Sequence, residues 1–174
     1  MQTEVLYLTA IKWALEGVEN REAERPLSIM DAYCGTGTIG LVAASMAGNA
    51  QVVGVDKVES SIRDARQNAA HNGIENATFI AQDAGTFMRD YAAVGRTVDG
   101  VFLDPPRTGA SEDFLETLAS LAPERVVYIS CNPETQVRDC QLLLDAGYAL
   151  EVVQPGDMFP HTSHVETVAL MTRS

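Results

Sequence analysis

Residues 31–40 read Asp31-Ala-Tyr-Cys-Gly35-Thr-Gly37-Thr-Ile-Gly40, a GxGxxG spacing set between a β-rich run at 27–31 and a helical run near 38–47. Glycines at a strand-to-helix turn let the backbone bend sharply and come close to a ligand, and a second β-rich run, 51–55, ends at an acid, Asp56. Gly35 and Gly37 are therefore candidate ligand contacts, and Asp56 is placed to accept from a ribose diol. Two ligand classes offer such a diol: dinucleotides and S-adenosylmethionine. Asp31 separates them. A carboxylate at the end of the first strand would face the pyrophosphate of a dinucleotide, whereas S-adenosylmethionine brings an ammonium and a sulfonium, and like charges in a crevice are costly. The loop favours S-adenosylmethionine.

Outward from this loop the pattern repeats. Strand-like runs at 77–81, 98–103 and 125–130 alternate with helical stretches at 59–72, after Asp83, at 111–121 and after Pro133. Two strand-like runs, 148–153 and 164–171, close the sequence with only 154–163 between them, too short for a helical crossover. They must form an antiparallel pair at one end of an otherwise parallel sheet. The expected fold is α/β: a Rossmann-like methyltransferase arrangement of seven strands, mostly parallel, with a C-terminal antiparallel strand and helices on both faces. An opening helix over 3–19 carries Leu8, Ile11, Leu15 and Val18 at helical spacing, which assigns it to packing. Residues 21–26 read as a charged loop.

The 174 residues suit one domain, 1–174, and 46% apolar with 21% charged residues is a globular composition. No apolar run is long enough for a membrane span, and the N-terminus lacks the basic and apolar regions of a signal peptide, so the expected compartment is the cytoplasm. Three cysteines without CxxC spacing indicate neither a disulfide framework nor a metal site. Cys34, Cys140, His71 and Trp13 are assigned to core or surface. Twelve basic against 24 acidic residues give a net charge of -12, a field that opposes a polyanion. A nucleic-acid substrate would need a local arginine cluster or help from outside this chain.

Three further stretches carry chemistry. Phe102-Leu-Asp104-Pro-Pro-Arg107-Thr-Gly109 ends the fourth strand, and its two prolines stop any regular element, holding Asp104 at the crevice with Arg107 as the nearby cation. Ser130-Cys131-Asn132-Pro133 ends the fifth strand just before a helix, where free amide groups and the helix dipole favour a thiolate. Asp157-Met-Phe-Pro160-His161-Thr162-Ser-His164-Val-Glu166 precedes the last strand, and with a nucleophile nearby Glu166 reads as a base. Asp83, just past the third strand, suits either an adenine amino group or the cap of the next helix, and the two can coexist.

Taken together, DPPRTG, SCNP followed by Thr135 and Arg138-Asp139, DMFPHTSHVE and DxYCGxG resemble the RNA (uracil-5-)-methyltransferase family over nearly the whole chain. The resemblance implies S-adenosylmethionine as cofactor, without a metal or an iron–sulfur cluster in this chain, and methylation of uridine C5 in ribosomal or transfer RNA. It implies Cys131 as nucleophile and Glu166 as base, with cofactor contacts at Tyr33, Thr38, Asp56, Asp83 and Asp104. Asp104 would orient the base or the cofactor, and Arg107 would meet the uracil carbonyl or a phosphate. The run at 157–162 and Arg138-Asp139 lean toward ribosomal RNA. The family's upstream RNA-binding barrel, central subdomain and Phe-Gln-Val-Asn segment have no counterpart here, so the expectation is a catalytic domain, monomeric, with RNA recognised mainly through other parts. Rival readings are a transfer-RNA uridine methyltransferase, a base amino-group methyltransferase, to which Asp104-Pro-Pro is also similar, and a non-catalytic cofactor-binding module.

Overall fold

The computed structural model describes residues 2–16, 25–158, 161–162 and 165–173. Helix α1 (Gln2–Leu15) precedes a regular alternation: β1 (Leu27–Ala32), α2 (Thr38–Met46), β2 (Ala50–Asp56), α3 (Glu59–His71), β3 (Ala77–Ala81), α4 (Ala84–Ala93), β4 (Gly100–Leu103), α5 (Glu112–Leu121), β5 (Arg125–Ser130) and α6 (Pro133–Asp145). The last two strands, β6 (Ala149–Gly156) and β7 (Glu166–Thr172), follow one another without a helix. All seven join one sheet in the order β3-β2-β1-β4-β5-β7-β6.

The expected antiparallel element is present, with one refinement. β7 pairs antiparallel with both β5 and β6, so it inserts between them and is the strand that runs against the rest. The order reverses between β1 and β4, where the chain moves from one half of the sheet to the other. Open α/β sheets bind ligands at the carboxyl ends of their strands at such a reversal.

The strands are apolar because helices cover both of their faces. One side packs Ile29, Phe102, Val127, Ile129 and Val168 against α1 and α2 through Ile11, Leu15 and Ile39. The other packs Met30, Val101, Leu103, Tyr128 and Met171 against α4, α5 and α6 through Met88, Phe114, Leu115 and Leu143. Cys34 and Cys140 are buried, His71 is exposed and Trp13 packs on the first cluster, as assigned from the sequence. Val18 and 21–24 of the charged loop lie outside the described residues. Among the described residues no helix is long and apolar enough to cross a membrane.

Candidate active site

The glycine turn is built around two carboxylates that accept from backbone amides. Asp31, at the end of β1, is 1% exposed and takes the Gly40 amide on Oδ2 at 2.8 Å. A Cβ at residue 40 would stand 2.9 Å from that same oxygen, so only glycine brings the amide this close. Asp56 accepts from the Gly35 amide at 3.0 Å on one oxygen and from the Val58 amide at 2.8 Å on the other, which ties the turn to the end of β2. Gly37 caps α2, whose first residue is Thr38. Asp83 caps α4, with Oδ1 accepting from the Thr86 amide at 3.0 Å and its hydroxyl at 3.2 Å. The capping half of the two readings of Asp83 is thus visible, carried by one of its two oxygens.

A cavity of about 180 Å³ opens at this edge, walled by Tyr7, Asp31, Tyr33, Gly35, Thr38 and Asp104 among others. Asp31 Oδ1 is buried there without a hydrogen-bond partner. Burial pushes the Asp31 carboxyl up to about 7, opposed by the Gly40 amide and reinforced by Asp104 and Asp56. An orphaned, buried carboxylate oxygen on a cavity wall is a place for a cationic donor. The ammonium of S-adenosylmethionine fits this requirement, and the two oxygens of Asp56 retain lone pairs for a diol.

Tyr33 follows β1 with φ +64°, an uncommon conformation for a non-glycine residue, and its ring lies against Phe114 with centroids 5.4 Å apart. Burial, with Asp83 and Asp139 adding, pushes its phenol up to about 12, so it stays a neutral donor. Tyr7 is the residue that sequence reasoning missed. The packing assigned to α1 is real, through Leu6, Ala10, Ile11, Ala14 and Leu15, but half-buried Tyr7 also lines the cavity. Burial raises its phenol, and Asp104, Glu166 and Asp31 raise it further. Helical periodicity marks an apolar stripe, and a tyrosine on the border of that stripe carries no signal of its own.

The other half of the edge holds the remaining candidates. Leu103 of β4 pairs with Tyr128 of β5, and β5 pairs with β7 up to Ser130↔Thr167. The ladder stops there, one residue short of Cys131 on one side and of Glu166, the first residue of β7, on the other. Thr167 is held there by its hydroxyl, which donates to Gln136 Oε1 at 2.6 Å and to the Ser130 carbonyl at 3.3 Å. Cys131 is half-buried, immediately before Asn132, the cap of α6. Asp104 follows β4, and burial together with the nearby Glu166 pushes its carboxyl up to about 6. Arg107 is exposed, and its carbonyl accepts from Asn132 Nδ2 at 3.0 Å and Thr135 Oγ1 at 3.3 Å. The loop after β4 and the turn after β5 are therefore joined. Phe159, Pro160, Ser163 and His164 of the loop before β7 lie outside the described residues. Among the described residues no group of three His, Cys, Asp or Glu could hold a metal ion.

Known proteins are similar to this chain in sequence and in fold. An uncharacterized RNA methyltransferase of Staphylococcus aureus (strain COL) is 50% identical over 170 residues, 97% of this chain and 35% of that protein. One of Caldanaerobacter subterraneus subsp. tengcongensis is 46% identical over 147 residues, 84% of this chain and 32% of that protein. The chain thus spans about a third of the length of these relatives. Among solved structures, the tRNA (uracil-54, C5)-methyltransferase of Pyrococcus abyssi, in complex with S-adenosyl-L-homocysteine, superposes with a TM-score of 0.72 at 34% identity, over 94% of this chain and 38% of that one. The magnesium protoporphyrin IX methyltransferase of Synechocystis PCC 6803 reaches 0.76 at 20% identity, over 99% of this chain and 80% of that one, a likeness of fold. The profile of the methyltransferase domain family matches residues 24–154, and with its glycine turn and strand order in place the chain belongs to that family.

Proposed function

We propose that this chain is the catalytic domain, 1–174, of a monomeric cytoplasmic enzyme that methylates C5 of a uridine in RNA, with ribosomal RNA as substrate and S-adenosylmethionine as methyl donor. The observation that carries the reading is that Glu166 acts on the Asp104 carboxyl at the edge that also holds the Asp31 cavity, while the β5–β7 ladder runs to within one residue of both Cys131 and Glu166. The names of the Staphylococcus and Caldanaerobacter relatives support RNA as the substrate class. The Pyrococcus structure supports both the uracil C5 position and the cofactor.

Bound S-adenosylmethionine supplies an electrophilic methyl. Asp31 would hold its ammonium, Asp56 its ribose hydroxyls and Asp83 its adenine, while Tyr33, Gly35 and Thr38 line the pocket and Gly37 shapes the turn beside it. Uracil C5 is a poor nucleophile, so the Cys131 sulfur adds to C6 and pushes an electron pair toward C5 and the C4 carbonyl. Arg107 meets the carbonyl oxygen or a flanking phosphate, and Asp104 orients the ring. Once C5 has used that pair to take the methyl group, the methyl's bond to the sulfonium sulfur breaking to leave S-adenosylhomocysteine, Glu166 removes the remaining C5 proton, and the pair from that C–H bond forms the C5–C6 double bond and expels the Cys131 sulfur from C6. The target atoms lie inside stacked RNA, so the uridine enters the crevice unpaired or flipped out.

RNA carrying 5-fluorouridine tests this directly. Fluorine leaves no C5 proton to remove, so the complete gene product with S-adenosylmethionine should form a covalent protein–RNA complex that survives denaturation. Cys131→Ala should form none while still binding S-adenosylhomocysteine. An active enzyme that yields no complex would point instead to transfer onto a base amino group, which needs neither Cys131 nor Glu166.

A further inference from the structure

Beyond the residues assigned to the reaction, a second set of groups is organised around the loop after β4. Pro105 and Pro106 have no amide hydrogens, and the loop leaves the sheet at once, so its backbone must find partners elsewhere. Side chains of α6 supply them. Arg138 donates to the Thr108 carbonyl at 3.1 Å and the Ala110 carbonyl at 3.3 Å, and its Nε donates to Asp139 Oδ1 at 2.8 Å. Asp139 is wholly buried, and its Oδ2 accepts from the Ala110 amide at 2.8 Å and from the Tyr128 hydroxyl at 2.6 Å. With Asn132 and Thr135 on the Arg107 carbonyl, the carbonyls of 107, 108 and 110 and the amide of 110 are all held by α6 and its cap.

The loop backbone also rests on the ion pair itself. Gly109 has φ +79°, and a Cβ there would stand 2.5 Å from both Arg138 Nη2 and Asp139 Oδ2. A buried carboxylate is expensive unless its geometry is satisfied on every side. Here the three hydrogen bonds of Asp139 join three pieces of chain: the loop after β4, the body of β5 and the first turns of α6. Cys131 lies between the last two and Arg107 opens the first.

We infer that Arg138 and Asp139 are positioning residues for the reaction, fixing loop 107–110, and with it Arg107, against the turn that carries Cys131. The inference rests on the reading of Cys131 as nucleophile. It assigns the pair no contact with RNA or cofactor. Removing the pair should therefore impair attack on the base while the Asp31–Asp56 half continues to bind.

The test uses the complete gene product and counts working sites by S-adenosylhomocysteine titration, so that misfolded protein does not enter the rate. Arg138 is half-exposed, which makes Arg138→Ala the mildest break. Gly109→Ala disturbs the same clamp without touching either charge. Per site, both should slow formation of the 5-fluorouridine complex by about tenfold or more, the scale of a misplaced reacting group, with cofactor affinity within about twofold of wild type. Arg138→Lys, which keeps a donor for Asp139 and one carbonyl, should recover part of the rate. An unchanged per-site rate in Arg138→Ala overturns the inference, as does a parallel fall in cofactor affinity, which would mark general loosening. A wild-type enzyme that methylates RNA without any covalent complex overturns the nucleophile reading itself, before any variant is compared, and the inference falls with it.

Discussion

The two halves of the carboxyl edge are built differently. On the β1–β3 side each candidate carboxylate is caught by backbone amides of the turns that follow the strands: Asp31 by Gly40, Asp56 by Gly35 and Val58, Asp83 by Thr86. On the β4–β5–β7 side the candidates are held by side chains and pairings from distant parts of the chain: Thr167 on Ser130, Asn132 on Arg107, Arg138 on Thr108. The carboxylate–amide contacts of the first half need only β1, β2, β3 and their loops, although the cavity beside them also takes Tyr7 and Asp104. The contacts of the second half exist only once β4, β5 and β7 have paired, so under the proposed function the cofactor side rests on local turns and the reacting side on the assembled sheet.

The sharpest way to separate the halves is Glu166→Gln. The proposed role of this carboxylate comes after methyl transfer, so the variant should still build the covalent complex on ordinary RNA but release product about 10²- to 10⁴-fold more slowly, the range of a general base. Gel-shifted, denaturation-resistant complex should accumulate, with cofactor affinity unchanged. Rapid release by Glu166→Gln would remove this residue from the reaction and leave the two halves less distinct than proposed.

Asp31 gives the next largest effect, and it belongs to the other half. Its carboxyl stands near 7 in the folded protein, above the 3.8 of an unburied aspartate. The folded state therefore binds this proton more tightly than the unfolded state. As pH rises from about 4 to about 7, the folded protein without cofactor should lose stability, on the order of 4 kcal/mol from this group, because charge is being forced into a buried site. Asp104, pushed up to about 6, adds to the same slope. A ligand ammonium should flatten it. Chemical denaturation across this pH range, with and without S-adenosylhomocysteine, measures both. Asp31→Asn should remove most of the slope while weakening the ligand, and a slope that persists in the variant would show that the buried charge resides elsewhere.

How much of this could be read from the sequence follows from the same contrast. The glycine turn, Asp31 and Asp56 lie within one βαβ unit, where spacing alone brings them together, and strand alternation revealed the sheet and its terminal antiparallel element. Local pattern could not reveal that β7 enters between β5 and β6. That insertion carries the ladder to Ser130↔Thr167, one residue short of Cys131 and Glu166, which the sequence linked only by the logic of a nucleophile and its base and by the family resemblance. Arg138 and Asp139 stood out as a motif, yet their engagement with Thr108, Ala110 and Tyr128 depends on contacts between residues 11 to 30 positions apart. Tyr7 was hidden for another reason. Its helix is amphipathic, its neighbours are apolar, and nothing local distinguishes a ring that fills the core from one that reaches a cavity.

Tyr7 is also where the halves meet, and it yields the smallest expected effect. Its phenol is held above its ordinary value by burial and then by Asp104, Glu166 and Asp31, carboxylates drawn from both sides of the edge. A neutral hydroxyl in the field of three acids is a dipole at the cavity wall that eases their mutual repulsion and is a donor for a ligand. Tyr7→Phe keeps the ring and its packing on the core and removes only that donor. The loss should be that of one hydrogen bond, about 0.5–1.5 kcal/mol, seen as a severalfold weaker S-adenosylhomocysteine affinity. Without the donor the carboxyls should hold their protons to higher pH, so the rise of ligand affinity with pH should also move upward. If Tyr7→Phe leaves both the affinity and its pH profile unchanged, α1 serves packing alone and the two halves communicate only through the sheet.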